Sequence, residues 1–129
     1  MFEQLDFIYM PSRDAARDVA YFTDVLGGEL LFTVEGMGTR VAMLELTSGP
    51  PRILLAEHLD GDTPVLVYRV GDLGAAIAEL EGRGWQRAGR FEIPQGPITS
   101  FAAPGGHRLA LYQRTRPEVE AHFIGRRDF

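Results

Sequence analysis

Side chains able to do covalent or metal chemistry are scarce in this sequence. There are three histidines, His58, His107 and His122. There is no cysteine and no lysine, and all 13 basic residues are arginine. Disulfides, thiolate metal sites and cysteine nucleophiles are thereby excluded, and so is Schiff-base chemistry. What remains is acid–base and hydrogen-bonding chemistry. Glu45, Glu57, His58 and Tyr112 are the candidate proton carriers. Tyr9 and Tyr112 each offer a flat face for stacking and one hydroxyl. Arg52 and Arg108 offer guanidinium forks that match a carboxylate. Glu57 and His58 are neighbours on an expected strand, so they point to opposite faces and cannot share a metal. His107, beside Gly105-Gly106, and His122, near the chain end, are expected as exposed or capping residues.

The elements that must position these residues follow from periodicity and breakers. Residues 4–10 predict a strand that Pro11 ends. Ser12 and Asp14 supply N-cap oxygens for a helix whose apolar face carries Ala15, Val19, Phe22 and Leu26, stopped by Gly27-Gly28. Three strands are expected at about 29–34, 40–46 and 52–58. The order then recurs: a strand over 64–70, an Asp72-capped helix bearing Leu73, Ala76, Ile77 and Leu80, and strands near 85–91, 98–103 and 107–113. Asp14 and Asp72 are 58 residues apart, and the glycines before the two closing strands, Gly49 and Gly105, are 56 apart. Agreement at both ends of the unit predicts an internal duplication of a strand–helix–three-strand module. The expected division is one domain over 1–114, with modules at about 4–60 and 61–114, followed by a helical tail over 115–129. In the tail, Val119 and Phe123 form a docking face for the domain or for a second subunit.

Hydrophobic residues make up 45% and charged residues 24%, the balance of a folded chain rather than a disordered one. The net charge is -5 with arginines scattered along the chain, which argues against nucleic acid as a partner. No apolar run approaches the roughly 20 residues of a membrane span, and the start lacks the pattern of a secretory signal. No membrane association is expected, and the cytoplasm is the expected location.

The segment Ala20-Tyr21-Phe22-Thr23-Asp24-Val25-Leu26-Gly27-Gly28-Glu29-Leu30 resembles the first helix and Leu-Gly turn of the vicinal-oxygen-chelate superfamily, which includes glyoxalases, bleomycin-resistance proteins and dioxygenases. Ala103-Pro104-Gly105-Gly106-His107-Arg108-Leu109 resembles the turn before that family's last strand. The likeness covers residues 5 to 113. It implies an α+β fold in which two βαβββ modules form a cupped mixed sheet, with helices on its outer face and a ligand in the cup. The family's metal enzymes take ligands, typically two His and two Glu, from the first and last strand of each module. By the likeness those positions are Phe7, Leu54, Val65 and Ala110, none of which can donate to a metal. No metal and no cofactor is therefore expected.

Alternation along the strands puts Phe7 and Tyr9, Arg52, Leu54, Ala56 and His58, Val65 and Val67, and Arg108, Ala110 and Tyr112 on the inner face. Arg69 is a further candidate there. An apolar, aromatic lining with a few polar tips suits a small-molecule pocket. It equally suits a filled second core, although Ala56 and Ala110 favour open space. Trp85 and Phe91 lean over the cup mouth or join the outer core. The resemblance implies a metal-independent, often homodimeric binding protein of the bleomycin-resistance kind that sequesters an aromatic or antibiotic-like molecule. Pro11 suits arm exchange in such a dimer. The other reading is a lyase, isomerase or dioxygenase-type enzyme with a non-standard or displaced active site, carrying a displaced metal or working as a metal-free acid–base catalyst. A partner-binding module built on the tail is a third.

Overall fold

In the computed structural model, which describes residues 1–86 and 89–129, the expected duplication is visible as two similar half-sheets. The first module contributes β1 (Phe2–Pro11), α1 (Ala15–Ala20), β2 (Glu29–Gly36), β3 (Thr39–Glu45) and β4 (Arg52–Ala56). The second contributes β5 (Val65–Val70), α2 (Leu73–Glu81), β6 (Gly89–Ile93), β7 (Gly96–Ala102) and β8 (Arg108–Gln113). A short α3 (Val119–Phe123) follows. All eight strands form one curved, open, mixed sheet in the order β2-β3-β4-β1-β5-β8-β7-β6. Each module closes on itself by a parallel pair, β1 with β4 and β5 with β8. The modules join where β1 runs antiparallel to β5, with Phe7 opposite Val67 and Tyr9 opposite Val65. The fold is α+β, with two βαβββ modules, as expected.

Alternation sorts the core into three layers. Leu54, Val65, Val67, Ala110 and Tyr112 point into the cup with Phe7, Phe32, Met43 and Ile98. Their neighbours Ile53, Leu55 and Leu111 point outward. Ile53 and Leu55 meet Val19 and Phe22 of the first helix, and Leu111 meets Leu73, Ala76 and Ile77 of α2. Asp14 and Asp72 sit in extended backbone and accept hydrogen bonds from the N–H groups of Arg17 and Ala75. The first helix continues past Ala20 as a π-helical turn over Tyr21–Val25, with Leu26 N–H donating to Tyr21 carbonyl at 3.1 Å.

Several boundaries differ from expectation. The last strand of the first module, β4, stops at Ala56, so Glu57 and His58 lie in the following turn. The strand expected over 85–91 runs over Gly89–Ile93, and residues 87–88 of that expectation lie outside the described residues. No helix among the described residues is long and apolar enough to cross a membrane.

Glu57 ties the end of β4 to the start of α1. Its carboxylate accepts from Arg40 Nη2 at 2.6 Å and from the Ala15 N–H at 2.8 Å. Arg40, followed by the Ala15 N–H, holds the Glu57 carboxyl below the usual carboxylate range. A depressed folded-state value means the stabilisation is present above the unfolded value, about 4.3, and is lost as pH falls through the folded one. Glu57→Gln should therefore lower the Tm at pH 7, and the gap to the native chain should close below about pH 4. A gap that stays constant across thermal melts from pH 7 to 3 would show that this charge contributes nothing.

The tail packs on its own domain. Phe123 stacks on Phe32 with ring centroids 5.4 Å apart. Residues 125–128 then run beside β2: Gly125 N–H donates to Leu31 carbonyl, Thr33 N–H to Arg126 carbonyl, and Asp128 N–H to Thr33 carbonyl. Phe129 joins the outer cluster beneath the first helix, with the Arg40 guanidinium 5.0 Å above its ring.

Candidate functional site

The curved sheet encloses a cavity of about 790 Å3. Its floor is Tyr9, Leu54, Val65 and Ala110, and its walls include Phe32, Val41 and Met43 from one module and Ile93 and Ile98 from the other. Phe123 of α3 closes part of one side, while Met37 and Phe91 stand exposed at the mouth. Polar side chains are few on this lining: Tyr9, Thr39, His58, Glu92, Gln95, Ser100 and Arg108. Such a surface desolvates an apolar guest and orients it at a few points.

Six of the eleven inner-face candidates lie on this wall: Tyr9, Leu54, His58, Val65, Arg108 and Ala110. Phe7, Val67 and Tyr112 instead fill the middle of the cup. Phe7 and Tyr112 pack ring to ring at 5.6 Å, and Val67 is fully buried beside them. Ala56 is buried at the strand end opposite Pro11 and Val41. Arg52 faces a second, smaller cavity on the other side of that plug. The cup is thus packed at its centre and open beyond it.

The polar groups differ in how free they are. Tyr9 hydroxyl makes no hydrogen bond to any described residue, and burial pushes its phenol above the usual range, so it faces the cavity as a neutral donor. His58 shares its Nδ1 with Thr39 Oγ1 at 3.1 Å, leaving Nε2 for another partner. Arg108 is committed to structure: its Nη1 donates to the carbonyls of Asp60 and Thr63 at 2.8 and 2.9 Å. Tyr112 donates to the Asp6 carboxylate, and burial followed by that hydrogen bond pushes its phenol far up. Of the four candidate proton carriers only His58 lines the cavity. Glu57 holds the first helix, Glu45 lies 3.6 Å from Arg52, and Tyr112 is buried.

Phe7, Leu54, Val65 and Ala110 all belong to the inner cluster, so side-chain chemistry rather than orientation prevents them from coordinating a cation. Among the described residues, no group of three or more His, Asp or Glu is placed to hold a metal ion. The family's metal does not fit this residue set.

Sequence reasoning missed Asp6, which alternation assigns to the helix side once Phe7 faces in. A bulge explains the difference. Leu5 and Phe7 pair with consecutive residues Tyr68 and Val67, so Asp6 is the extra residue and its side chain is buried on the inner side with Phe7. A second bulge at Leu31 likewise turns both Leu31 and Phe32 inward. Trp85 resolves to the outer layer, edge-on to Phe101 at 5.3 Å, and Phe91 to the cavity mouth.

A family model described as Glyoxalase/Bleomycin resistance protein/Dioxygenase superfamily matches residues 4–111. No match was found among curated proteins. Among solved structures, methylmalonyl-CoA epimerase from Mycobacterium tuberculosis is 22% identical, covers 93% of each chain and has a TM-score of 0.72. A hypothetical protein from Bacillus halodurans C-125 is 16% identical over 88% of this chain and 95% of its own, with a TM-score of 0.73. A variant of the Streptomyces coelicolor methylmalonyl-CoA epimerase in complex with 2-nitronate-propionyl-CoA is 20% identical over 90% of this chain and 100% of its own, with a TM-score of 0.71. At these identities the likeness is one of fold.

Proposed function

The chain belongs to the Glyoxalase/Bleomycin resistance protein/Dioxygenase superfamily, and from that premise we propose that it binds a small, largely apolar molecule without metal coordination. The observation that carries this reading is the cavity of about 790 Å3 whose floor includes Leu54, Val65 and Ala110, at three of the four positions where metal-dependent members place ligands. Recognition there rests on shape and on stacking against Phe32 and Tyr9, with Tyr9 hydroxyl and His58 Nε2 supplying direction. An aromatic metabolite or antibiotic suits such a wall, and sequestration is the simplest activity it supports. The protein is proposed to act as a homodimer, with exposed Met37 and Phe91 at the mouth as the surface a second copy would shield.

A thermal-shift screen with apolar aromatic compounds tests the reading. A ligand at a hundred times its Kd should add about 2.7 kcal/mol and raise the Tm on the order of 10 °C. Ser100→Trp, which places an indole in the cavity from a half-buried wall position, should keep the fold and abolish the shift. A shift that survives Ser100→Trp would place binding elsewhere. Turnover of methylmalonyl-CoA, a ligand of one of the structural neighbours, would replace sequestration with catalysis.

A further inference from the structure

Beyond the Phe7–Tyr112 plug lies a separate polar cavity of about 180 Å3, lined in part by Asp6, Arg52, Arg69, Arg114 and Glu120. A guanidinium carries five N–H donors. Yet among the described residues these three arginines make a single hydrogen bond, from Arg52 Nη1 to Glu120 Oε2 at 3.4 Å. Their remaining charge contacts are also long. Arg52 Nε lies 3.6 Å from Glu45, Arg114 Nη2 3.7 Å from Glu120, and Arg69 Nε 3.4 Å from Asp6 and 3.9 Å from the exposed Glu3. Arg69 Nε is buried with no hydrogen bond. Elsewhere in the same molecule Arg40, Arg116 and Arg126 reach carboxylates at 2.6, 2.7 and 2.8 Å. Charge-assisted pairs normally close to about 2.7–2.9 Å. Three guanidiniums therefore converge on a space that none of the protein's own carboxylates fills well.

We propose that this cavity is a binding site for a small carboxylate anion, seated between Arg52 and Arg114 in place of the Glu120 side chain, with Arg69 as a third donor. Glu120 already presents a carboxylate there, on a helix of only five residues with no side-chain cap. Charge selects the class of guest. When Glu120 withdraws, three guanidiniums face the less exposed carboxylates of Asp6 and Glu45, with the more distant Glu3 exposed, so at most one positive charge is left for one negative one. A phosphate dianion would exceed that balance and approach the buried Asp6 carboxylate. The planar fork of each guanidinium also matches a planar carboxylate, and Phe7 and Pro50 supply an apolar wall for a short alkyl chain.

The test is titration of the full chain with sodium propionate at constant ionic strength, read by calorimetry, beside inorganic phosphate. Saturable propionate binding is expected, tightened at least threefold in Glu120→Gln, where the internal competitor has lost its charge. Binding should weaken at least tenfold in Arg114→Met and be partly restored in Arg114→Lys, with circular dichroism melts confirming that each variant is folded. Absence of saturable binding in both the native chain and Glu120→Gln would overturn the proposal. So would binding unchanged by Arg114→Met, or phosphate binding as tightly as propionate. Ser100→Trp should leave propionate binding intact, so this site and the apolar cavity stand or fall separately.

Discussion

Alanine at position 96 should destabilise the domain by about 3 kcal/mol, seen as a lowered urea midpoint with an unchanged slope. Gly96 opens β7 with φ +154, a backbone region that side chains other than hydrogen rarely adopt. A Cβ there would stand 2.0 Å from the Gln113 carbonyl oxygen and 3.0 Å from Thr115 Oγ1. Both obstacles belong to the chain leaving β8, which is held at the same point by Thr115 and Arg116 N–H groups donating to the Gln95 carbonyl at 3.1 and 3.0 Å. Relief of the clash must therefore break those bonds and move Gln95, a buried residue on the cavity wall. Gly36→Ala is the control. Its Cβ would meet nothing within 4 Å, and its cost should stay within about 0.5 kcal/mol. Equal midpoints for the two variants would refute the close approach.

The second large effect is expected at Asp6. Its carboxylate is buried and accepts from Tyr112 hydroxyl and Gln4 Nε2, with Arg69 as the nearest charge. Asp6→Ala strands a buried hydroxyl and removes that counter-charge, which should cost about 3–5 kcal/mol. Tyr112→Phe, which loses one bond to a charged acceptor, should cost about 1.5–3 kcal/mol. Because the two side chains share an interaction, the double variant should cost less than the sum, by roughly 0.5–3 kcal/mol. Urea melts of the four proteins measure this cycle directly. Strict additivity would mean that Asp6 and Tyr112 do not stabilise one another.

These two sites show where sequence reading succeeds and where it stops. Asp14 and Asp72, the glycine-rich turns and the alternation of Leu54, Val65 and Ala110 are local signals, and local signals sufficed for the duplicated α+β fold and for the cavity floor. Asp6 is illegible because the register shift between Leu5 and Phe7 reverses parity, and nothing in Leu5-Asp6-Phe7 announces it. The Arg52–Arg69–Arg114 convergence joins residues from β4, from β5 and from just beyond β8, a meeting set by tertiary placement. Alternation places His58 on a strand, and β4 ends two residues before it, yet its position beside Leu59 on the cavity lining is close to what parity implies. The tail pattern leaves open whether Phe123 meets its own domain or a second subunit, and its reach to Phe32 inside the cup depends on where the chain lands after β8. Whether the cup was hollow or filled depended on side-chain volumes meeting across strands, and here the outcome is divided. Aromatic bulk occupies the centre, and space remains beyond it.

An open sheet has two borders, and a fibre that grows by adding strands needs both of them free. Here the molecule seals one border with its own residues 125–128. The outward-facing groups of Leu31, Thr33 and Glu35 are spent on Gly125, Arg126 and Asp128. Among the described residues, the margin left to recruit a foreign strand is Gly89–Ile93, and Arg90 and Glu92 place charges along it. Stacking of copies edge to edge should therefore stop at a pair. Displacing residues 125–128 from β2 would undo the hem that prevents anything longer.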